Sequence, residues 1–418
     1  MLILSKLLNN VKIFKGATYT LIGNLSFSFS QWCILIIINK LGTPNDVGIF
    51  TLSLAILNPL FMLAQGGLRS YIVIDTNRQF SFDTYFNLRL IFSIIALVLS
   101  VIFVFNDTYF YSVILLAVYK LIDCLFDIFY GEYQRSDTMK MIAVSRTSRA
   151  ISNGVLFLLA YLFTKNLNIA LLTYIISSIM VFIFYDYRKY KFQFNKKNIT
   201  FSTLKKLTLI SFPLAITALL ISLNTSIPRL LLERHSGLVE LGAFGSFMYI
   251  ITVAQIIIQS VCQAFTPKMA QAYYNNNHDV FKNITKILLI FTILISFLFC
   301  MFSFLFKELL FLLIFNTEFI QYSHLYNNII LIAPFIFLAL VFGNINTARR
   351  RIKYQPILFF IILITNIPLS YFLILYIGAN GAVLSSLIVS ILTIILLTIY
   401  SIKGREGWKF YLSPDSLI

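Results

Sequence analysis

Three charged side chains occur within one strongly apolar segment of the sequence. Lys120, Asp123 and Asp127 are spaced by three and four residues, which places them on one face of a helix. Ionisable groups in a bilayer core cost about 2.5–3.5 kcal/mol each, so they face a partner or a water-filled cavity. Two interpretations remain open: a site for a coupling cation or proton, or a buried network in which Lys120 pairs with a carboxylate, together with Arg146 or Arg149.

Polar side chains form stripes at helical spacing on three further apolar segments. The stripes consist of Asn24, Ser28 and Gln31; of Asn58, Gln65 and Arg69; and of Thr252, Gln255, Gln259 and Gln263. An amide can both donate to and accept from sugar hydroxyl groups, whereas a helix face exposed to lipid would leave it without partners. The stripes therefore predict a polar path for sugars or, alternatively, hydrogen bonds between helices inside the protein.

Several basic residues near the ends of the apolar segments are candidates for binding a phosphate group. Arginine suits a pyrophosphate because its planar guanidinium holds phosphate oxygens bidentately. Arg69 is the first candidate, since its spacing continues the face of Asn58 and Gln65. The other candidates are Arg149, Lys268 and Arg229. Anchoring of helix ends at the membrane surface is the alternative role for all four.

The elements that must position these residues are membrane-spanning helices. Hydrophobic residues make up 59% of the 418-residue chain and charged residues 12%, and the mean hydropathy is +0.86. Soluble domains carry roughly 25% charged residues, so this composition excludes a soluble globular protein. It also excludes a disordered chain and a disulfide scaffold. The four cysteines and three histidines are not spaced as metal ligands, and no cofactor is expected.

Twelve apolar segments are long enough to cross a bilayer, which takes about 20 residues per helix. They are residues 17–38, 48–67, 88–106, 109–131, 148–165, 168–186, 207–230, 241–265, 284–306, 328–347, 356–376 and 379–401. The segment 307–327 is apolar only at its start and predicts a short interfacial helix and a loop. The predicted fold is therefore an all-α polytopic membrane protein with about twelve spans.

The basic residues alternate between the two sides that these spans define. Of the 33 Lys and Arg residues, 27 fall on the side of both termini, five on the opposite side, and Lys120 within a span. Cytoplasmic loops carry such an excess, so both termini are expected in the cytoplasm. The net charge of +17 then reflects topology, and no nucleic-acid partner is expected. The predicted division is a six-helix lobe at 1–186, a cytoplasmic linker at 187–206, a second six-helix lobe at 207–401 and a cytoplasmic tail at 402–418.

An internal repeat relates the two predicted lobes. Residues 46–50 (DVGIF) and 240–244 (ELGAF) match at an offset of 194. At the same offset Asn58 corresponds to Thr252, Gln65 to Gln259 and Arg69 to Gln263. Because both lobes have the same topology, the repeat is a parallel one with its pseudo-two-fold axis along the membrane normal.

Residues 40–71 (KLGTPNDVGIFTLSLAILNPLFMLAQGGLRSY) resemble the signature of Wzx-type polysaccharide-repeat flippases, which belong to the multidrug/oligosaccharidyl-lipid/polysaccharide exporter superfamily. Residues 211–274 resemble the partner signature. The resemblance implies two lobes in a V around a cavity lined largely by helices 1, 2, 7 and 8. It implies transport of an undecaprenyl-pyrophosphate-linked oligosaccharide by alternating access, for O-antigen, capsule or a similar glycan. It further implies a bacterial cytoplasmic (inner) membrane, membrane lipids as partners, and a glycan polymerase and a chain-length regulator as candidate partners.

Two other functions remain open at this point. An ion-coupled multidrug exporter of the same superfamily would use Asp123 and Asp127 to bind H⁺ or Na⁺. A membrane glycan polymerase or ligase is also hydrophobic and basic, but such enzymes usually carry a large external loop with charged residues, and the largest here is 307–327. Since no nucleophile, metal cluster or phosphate-cradling motif accompanies that loop, the sequence favours a transporter over an enzyme.

Overall fold

The described chain is an assembly of helices. A computed structural model describes residues 2–75, 78–105, 107–188, 200–349 and 355–403, with the backbone alone for 2–17, 20, 21, 74, 264, 402 and 403. No strand occurs within these ranges. The α-helices are α1 (Leu2–Leu41), α2 (Pro44–Gln65), α3 (Leu68–Ile74), α4 (Phe82–Val104), α5 (Phe110–Arg135), α6 (Met139–Thr164), α7 (Leu167–Val181), α8 (Phe201–Tyr274), α9 (His278–Leu305), α10 (Lys307–Ile314), α11 (Ser323–Ala348), α12 (Gln355–Ile377) and α13 (Ala379–Lys403).

The longest helix, α8, consists of two membrane-crossing arms. Its 74 residues would extend about 111 Å as one straight helix, against a hydrocarbon core of about 30 Å. Gly237 interrupts it with φ 80° and ψ −178°, a conformation that residues with a Cβ rarely adopt. We call residues 201–236 the first arm of α8 and residues 238–274 the second arm.

The helices fit a multi-pass membrane protein. Nine described segments are long and apolar enough to cross a bilayer, with α8 counted once. Helices α5 and α6 have 26 residues each and are also long enough, but they carry the charged residues described above. Counting α5, α6 and both arms of α8, the described chain is compatible with the twelve predicted spans.

The segment 307–327 forms α10 followed by a 3-10 turn at Thr317–Tyr322, where the sequence predicts a short helix and a loop. Two predicted segments fall largely outside the described ranges. The linker 187–206 is described only at 187–188 and 200–206, and the tail 402–418 only at its first two backbone positions.

The two halves of the chain meet where α2 and the second arm of α8 begin. A Cβ on Gly48 would lie 2.1 Å from the carbonyl oxygen of Leu238, and a Cβ on Gly242 would lie 2.8 Å from that of Pro44. These two contacts are related by the offset of 194 found in the sequence. The Ser246 hydroxyl also donates to Asn39 Oδ1 at 2.8 Å. We call this region, residues 39–51 with 238–246, the closed end.

The closed end is also held to neighbouring helices. Thr43 and Asp46 form a capping box at the start of α2, and the Tyr161 hydroxyl of α6 donates to Asp46 Oδ2 at 3.0 Å. The Lys40 ammonium donates to the carbonyls of Leu312 and Phe315 in the C-terminal half. These contacts fix the angle at which α2 enters the interface between the two halves.

Candidate substrate cavity

A cavity of about 780 Å³ lies between the two halves, away from the closed end. It is lined from the N-terminal half by α1, α3, α5 and α6, and from the C-terminal half by the second arm of α8 and one residue of α11. Its lining residues are Asn24, Ser28, Arg69, Ser70, Val73, Gln134, Arg146, Thr252, Gln255, Ile256, Gln259, Ser260, Gln263 and Leu340. Two arginines and nine uncharged polar residues are in this set, and it contains no carboxylate.

The second arm of α8 contributes the longest polar stripe to this central cavity. Gln255, Gln259 and Gln263 all line it, at the spacing of four that puts them on one helix face. Gln259 Oε1 accepts a hydrogen bond from Asn344 Nδ2 at 3.2 Å, so its amide nitrogen remains available as a donor. This stripe thus presents amide groups to the cavity.

Helix α1 divides its polar stripe between two environments. Asn24 and Ser28 line the central cavity, but Gln31 does not. The Gln31 amide donates to the hydroxyls of Tyr119 and Tyr174, whose rings stack at 3.8 Å between centroids. Gln31 therefore contacts two tyrosines within the N-terminal half and lies outside the lining of the central cavity.

The predicted shared face of Asn58, Gln65 and Arg69 does not form. Helix α2 ends at Gln65, and Gly66 and Gly67 follow with φ of 59° and 63°, so Arg69 lies on the separate helix α3. Two consecutive residues with left-handed backbone conformation change the direction of the chain. Residue spacing predicts a shared face only where the helix is continuous. Arg69 lines the central cavity, whereas Asn58 and Gln65 are half-buried outside its lining. No residue of α2 or of the first arm of α8 lines this cavity, although the resemblance implied helices 2 and 7.

The carboxylates of α5 are held by arginines from other helices. Arg69 Nη1 lies 3.1 Å from Asp127 Oδ1, and Arg89 Nη2 lies 2.9 Å from Asp127 Oδ2. Arg149 Nη2 lies 2.8 Å from Asp123 Oδ1.

Lys120, in contrast, forms no ion pair with a described residue, so the predicted pairing with Asp123 or Asp127 does not occur. The guanidinium groups come from helices packed around α5 and contact both oxygens of Asp127 and one oxygen of Asp123. The geometry favours the ion-pair network over a cation site.

The other predicted cations have different surroundings. Arg149 is 1% exposed, its guanidinium lies 3.8 Å from the centre of the Phe126 ring, and it does not line the central cavity. Lys268 is exposed beyond the cavity on the second arm of α8. Arg229 lines a second cavity of about 480 Å³ within the C-terminal half. Of these candidates, only Arg69 reaches the central cavity.

Arg146 lines the central cavity, whereas its place in the sequence predicts only an ion-pair partner of α5. Its Nη1 donates to Asn24 Oδ1, and its guanidinium lies 5.0 Å from the centre of the Tyr130 ring. It forms no ion pair with a described residue, so its charge is available to a ligand in the cavity. Its spacing of three from Arg149 was visible in the sequence, but spacing alone does not tell which arginine faces the cavity.

The chemistry of the central cavity suits an anionic, hydroxyl-rich ligand. The guanidinium groups of Arg69 and Arg146 supply positive charge, and the amides supply donors and acceptors for hydroxyl groups. Within the described ranges no group of three or more His, Cys, Asp or Glu residues is placed to hold a metal ion.

Comparisons with known proteins relate the chain to polysaccharide transport. A family model described as "Polysaccharide biosynthesis protein" matches residues 13–273, and the MatE model matches residues 213–372. The capsular polysaccharide biosynthesis protein CapF of Staphylococcus aureus is 31% identical over 367 residues, which cover 84% of this chain and 90% of that protein.

Solved transporters share the fold. A structure described as an inward-facing multidrug resistance MATE family transporter of the MOP superfamily aligns with a TM-score of 0.75 at 14% identity, over 90% of this chain and 94% of that one. An outward-facing MATE structure aligns with a TM-score of 0.63 at 14% identity, over 93% and 94% of the two chains. A MOP superfamily transporter from Pyrococcus furiosus, described as having a binding pocket of reverse polarity, aligns with a TM-score of 0.62 at 14% identity, over 93% and 95%.

Proposed function

The chain belongs to the polysaccharide biosynthesis protein family and has the fold of MOP superfamily transporters, and we propose that it moves a lipid-linked oligosaccharide across the bacterial cytoplasmic membrane. The proposed substrate is an undecaprenyl-pyrophosphate-linked repeat unit of a capsule, an O-antigen or a similar glycan. The single observation that carries this proposal is a central cavity with two arginines, nine uncharged polar residues and no carboxylate among its lining residues.

In this proposal the two arginines of the central cavity bind the pyrophosphate. Arg146 offers an unneutralised guanidinium, and Arg69 keeps donor groups beyond those that contact Asp127 and Gln134. Asn24 and the three glutamines of the second arm of α8 bind sugar hydroxyl groups. Asn58, Gln65, Gln31, Arg149 and Lys268 are left out of the proposed site because they do not line the cavity.

The proposed movement is alternating access around the closed end. If both termini are cytoplasmic, as the distribution of basic residues predicts, the closed end faces outward and the structure corresponds to a state open toward the cytoplasm. The saccharide and pyrophosphate enter the central cavity while the prenyl chain stays in lipid. Separation of the halves at the closed end, with closure at the other end, then exposes the headgroup outside.

Coupling to an ion gradient is assigned to no residue of the described chain. Asp123 and Asp127 have a structural role in this proposal because arginines contact both carboxylate oxygens of Asp127 and one of Asp123. A cationic drug as substrate is disfavoured for a related reason, since no acidic side chain lines the central cavity.

The proposal is tested by deleting the gene in a strain that makes the surface glycan. We expect loss of surface glycan and accumulation of a saccharide linked to a prenyl pyrophosphate, detected by mass spectrometry of extracted lipids. Complementation with the wild-type chain restores the glycan, whereas Gln259→Ala and Arg69→Ala at equal membrane expression restore much less. Normal glycan in the deletion strain would contradict the function, and full complementation by both variants would contradict the site.

A further inference from the structure

The cavity within the C-terminal half has one charged side chain among its lining residues. It has a volume of about 480 Å³ and is formed by both arms of α8 together with α11, α12 and α13. Twelve of its lining residues are apolar or glycine, and eleven are uncharged and polar: Asn224, Thr225, Thr252, Gln255, Gln259, Asn344, Thr347, Gln355, Ser386, Ser390 and Thr393. The charged one is Arg229. We call this space the C-terminal cavity.

The guanidinium of Arg229 lies near the hydroxyl of Tyr249 but has no carboxylate partner among the described residues. It forms no hydrogen bond or ion pair with them, although the side chain is partly buried. In the N-terminal half, by comparison, Arg69, Arg89 and Arg149 each contact a carboxylate. A cation held inside a membrane protein without a counter-ion is costly, so this position fits an anionic group of a ligand.

One part of the wall of the C-terminal cavity suits a polyhydroxyl ligand, and apolar side chains such as Phe244, Met248 and Phe359 form the rest. The Ser386, Ser390 and Thr393 hydroxyls donate to carbonyls of their own helix, which leaves their oxygens free to accept from sugar hydroxyl groups. The Gln255 amide forms no hydrogen bond with a described residue, so its nitrogen is available as a donor and its oxygen as an acceptor. Saccharide hydroxyl groups would find donors and acceptors along this wall.

The C-terminal cavity adjoins the central cavity. Four residues line both spaces: Thr252, Gln255, Gln259 and Leu340. Along the second arm of α8 the C-terminal cavity runs from Phe244 to Gln259, about 22 Å of helix. Arg229 is eight residues before Gly237 at the closed end, whereas Arg69 and Arg146 lie in the central cavity away from that end. A ligand that enters the central cavity can therefore extend along the polar wall toward Arg229.

We propose that the C-terminal cavity receives the sugar portion of the substrate and that Arg229 binds the carboxylate of an acidic sugar in the repeat unit. The proposal rests on the function proposed above and specifies its substrate as a glycan that contains a hexuronic acid. A carboxylate has a single negative charge, which one guanidinium matches. The pyrophosphate carries more charge, and it is matched by the pair Arg69 and Arg146.

The test measures binding of two soluble disaccharides to the purified full-length chain in lipid nanodiscs. The probes are N-acetylglucosaminyl-glucuronic acid and the same disaccharide with its carboxylate reduced to the alcohol. We expect the wild-type chain to bind the acidic probe at least ten-fold more tightly. Arg229→Gln is expected to remove this preference, while Arg229→Lys retains part of it and Lys286→Gln, at an exposed site of α9, retains all of it.

Equal binding of the two probes by the wild-type chain would overturn the inference, whatever the variants do. A preference that survives in a monodisperse Arg229→Gln chain would overturn the assignment to Arg229. The lipid that accumulates in the deletion strain separates this inference from the proposed function. A prenyl-linked saccharide without any hexuronic acid would overturn the inference alone, whereas the absence of any such lipid would overturn the function as well.

Discussion

Arg146 differs from the other arginines beside α5 in that no described carboxylate contacts it. A hydrogen bond to a charged group contributes about 1.5–3 kcal/mol, so Arg146→Gln is expected to lower transport by about 10- to 100-fold. Surface glycan in a complemented deletion strain measures this. Arg188→Gln, which removes an exposed arginine of the same half, serves as the matched control. Full activity of the Arg146 variant would show that its charge is not used.

Substitution of Asp127 distinguishes a structural role in an ion pair from a role in binding a coupling ion. Asp127→Asn leaves Arg69 and the fully buried Arg89 without their carboxylate, and removing one member of a buried pair costs about 3 kcal/mol. We expect a lower melting temperature of the purified chain, together with a parallel loss of transport. If the variant melts like the wild type but no longer responds to an ion gradient, Asp127 is a coupling site and the structural role is wrong.

Helical spacing predicted some cavity residues and misplaced others for identifiable reasons. The stripe Gln255, Gln259 and Gln263 lies on one continuous helix, so its spacing was sufficient to place it on one face. Arg69 was assigned to the wrong helix face because Gly66 and Gly67 redirect the chain before it. Gln31 was misplaced because Tyr119 and Tyr174, distant in sequence, bind its amide.

At the scale of elements, α2 and the second arm of α8 approach so closely that only glycine fits between them. A Cβ on Gly242 would lie 2.8 Å from the Pro44 carbonyl oxygen, and a Cβ on Gly48 would lie 2.1 Å from that of Leu238. Both neighbours are backbone atoms, which cannot move aside by changing a rotamer. Gly242→Ala is therefore expected to weaken the closed end.

The state of the closed end is measured with Thr51→Cys, placed beside Gly245, in a chain whose own four cysteines are replaced. With Gly242 present, an impermeant maleimide outside intact cells should label this position slowly. Labelling should rise several-fold with Gly242→Ala. Gly154→Ala, where a Cβ would make an ordinary contact of 3.6 Å with Ser30, should leave it unchanged. Equal labelling in all three chains would contradict the role given to these glycines.

Most helices could be predicted from the sequence because an apolar segment of about 20 residues is a strong indication of a membrane-spanning helix. The points at which the helices break were harder to predict. The sequence separated 207–230 from 241–265, and the structure shows this separation as a single non-helical residue, Gly237, rather than a loop. The offset of 194 matched Gly48 to Gly242, but only the structure shows that these repeats contact each other. A sequence repeat shows which segments are equivalent, but it does not show whether those segments lie close together in space.

In the whole molecule, basic residues are distributed unevenly between the two predicted membrane sides, and some also lie inside the protein. In the predicted topology the net charge of +17 is concentrated on the side of both termini, which predicts the orientation in the membrane. Inside the protein, carboxylates around α5 pair with arginines, whereas Arg146 and Arg229 form no ion pair with a described residue. These two guanidinium groups lie in the two adjoining cavities, which together offer a path for an anionic saccharide.

Transport of a prenyl-pyrophosphate-linked saccharide across a bilayer is the function proposed for the chain. The most direct measurement reconstitutes the purified chain in liposomes with such a lipid, bearing a saccharide that an externally added glycosidase can cleave. With functional chain present, cleavage is expected to pass well beyond the roughly one half of the lipid that faces outward, and the Arg146→Gln chain should slow this phase. Cleavage that stops at the outer leaflet, as in protein-free liposomes, would show that the chain does not transport this lipid.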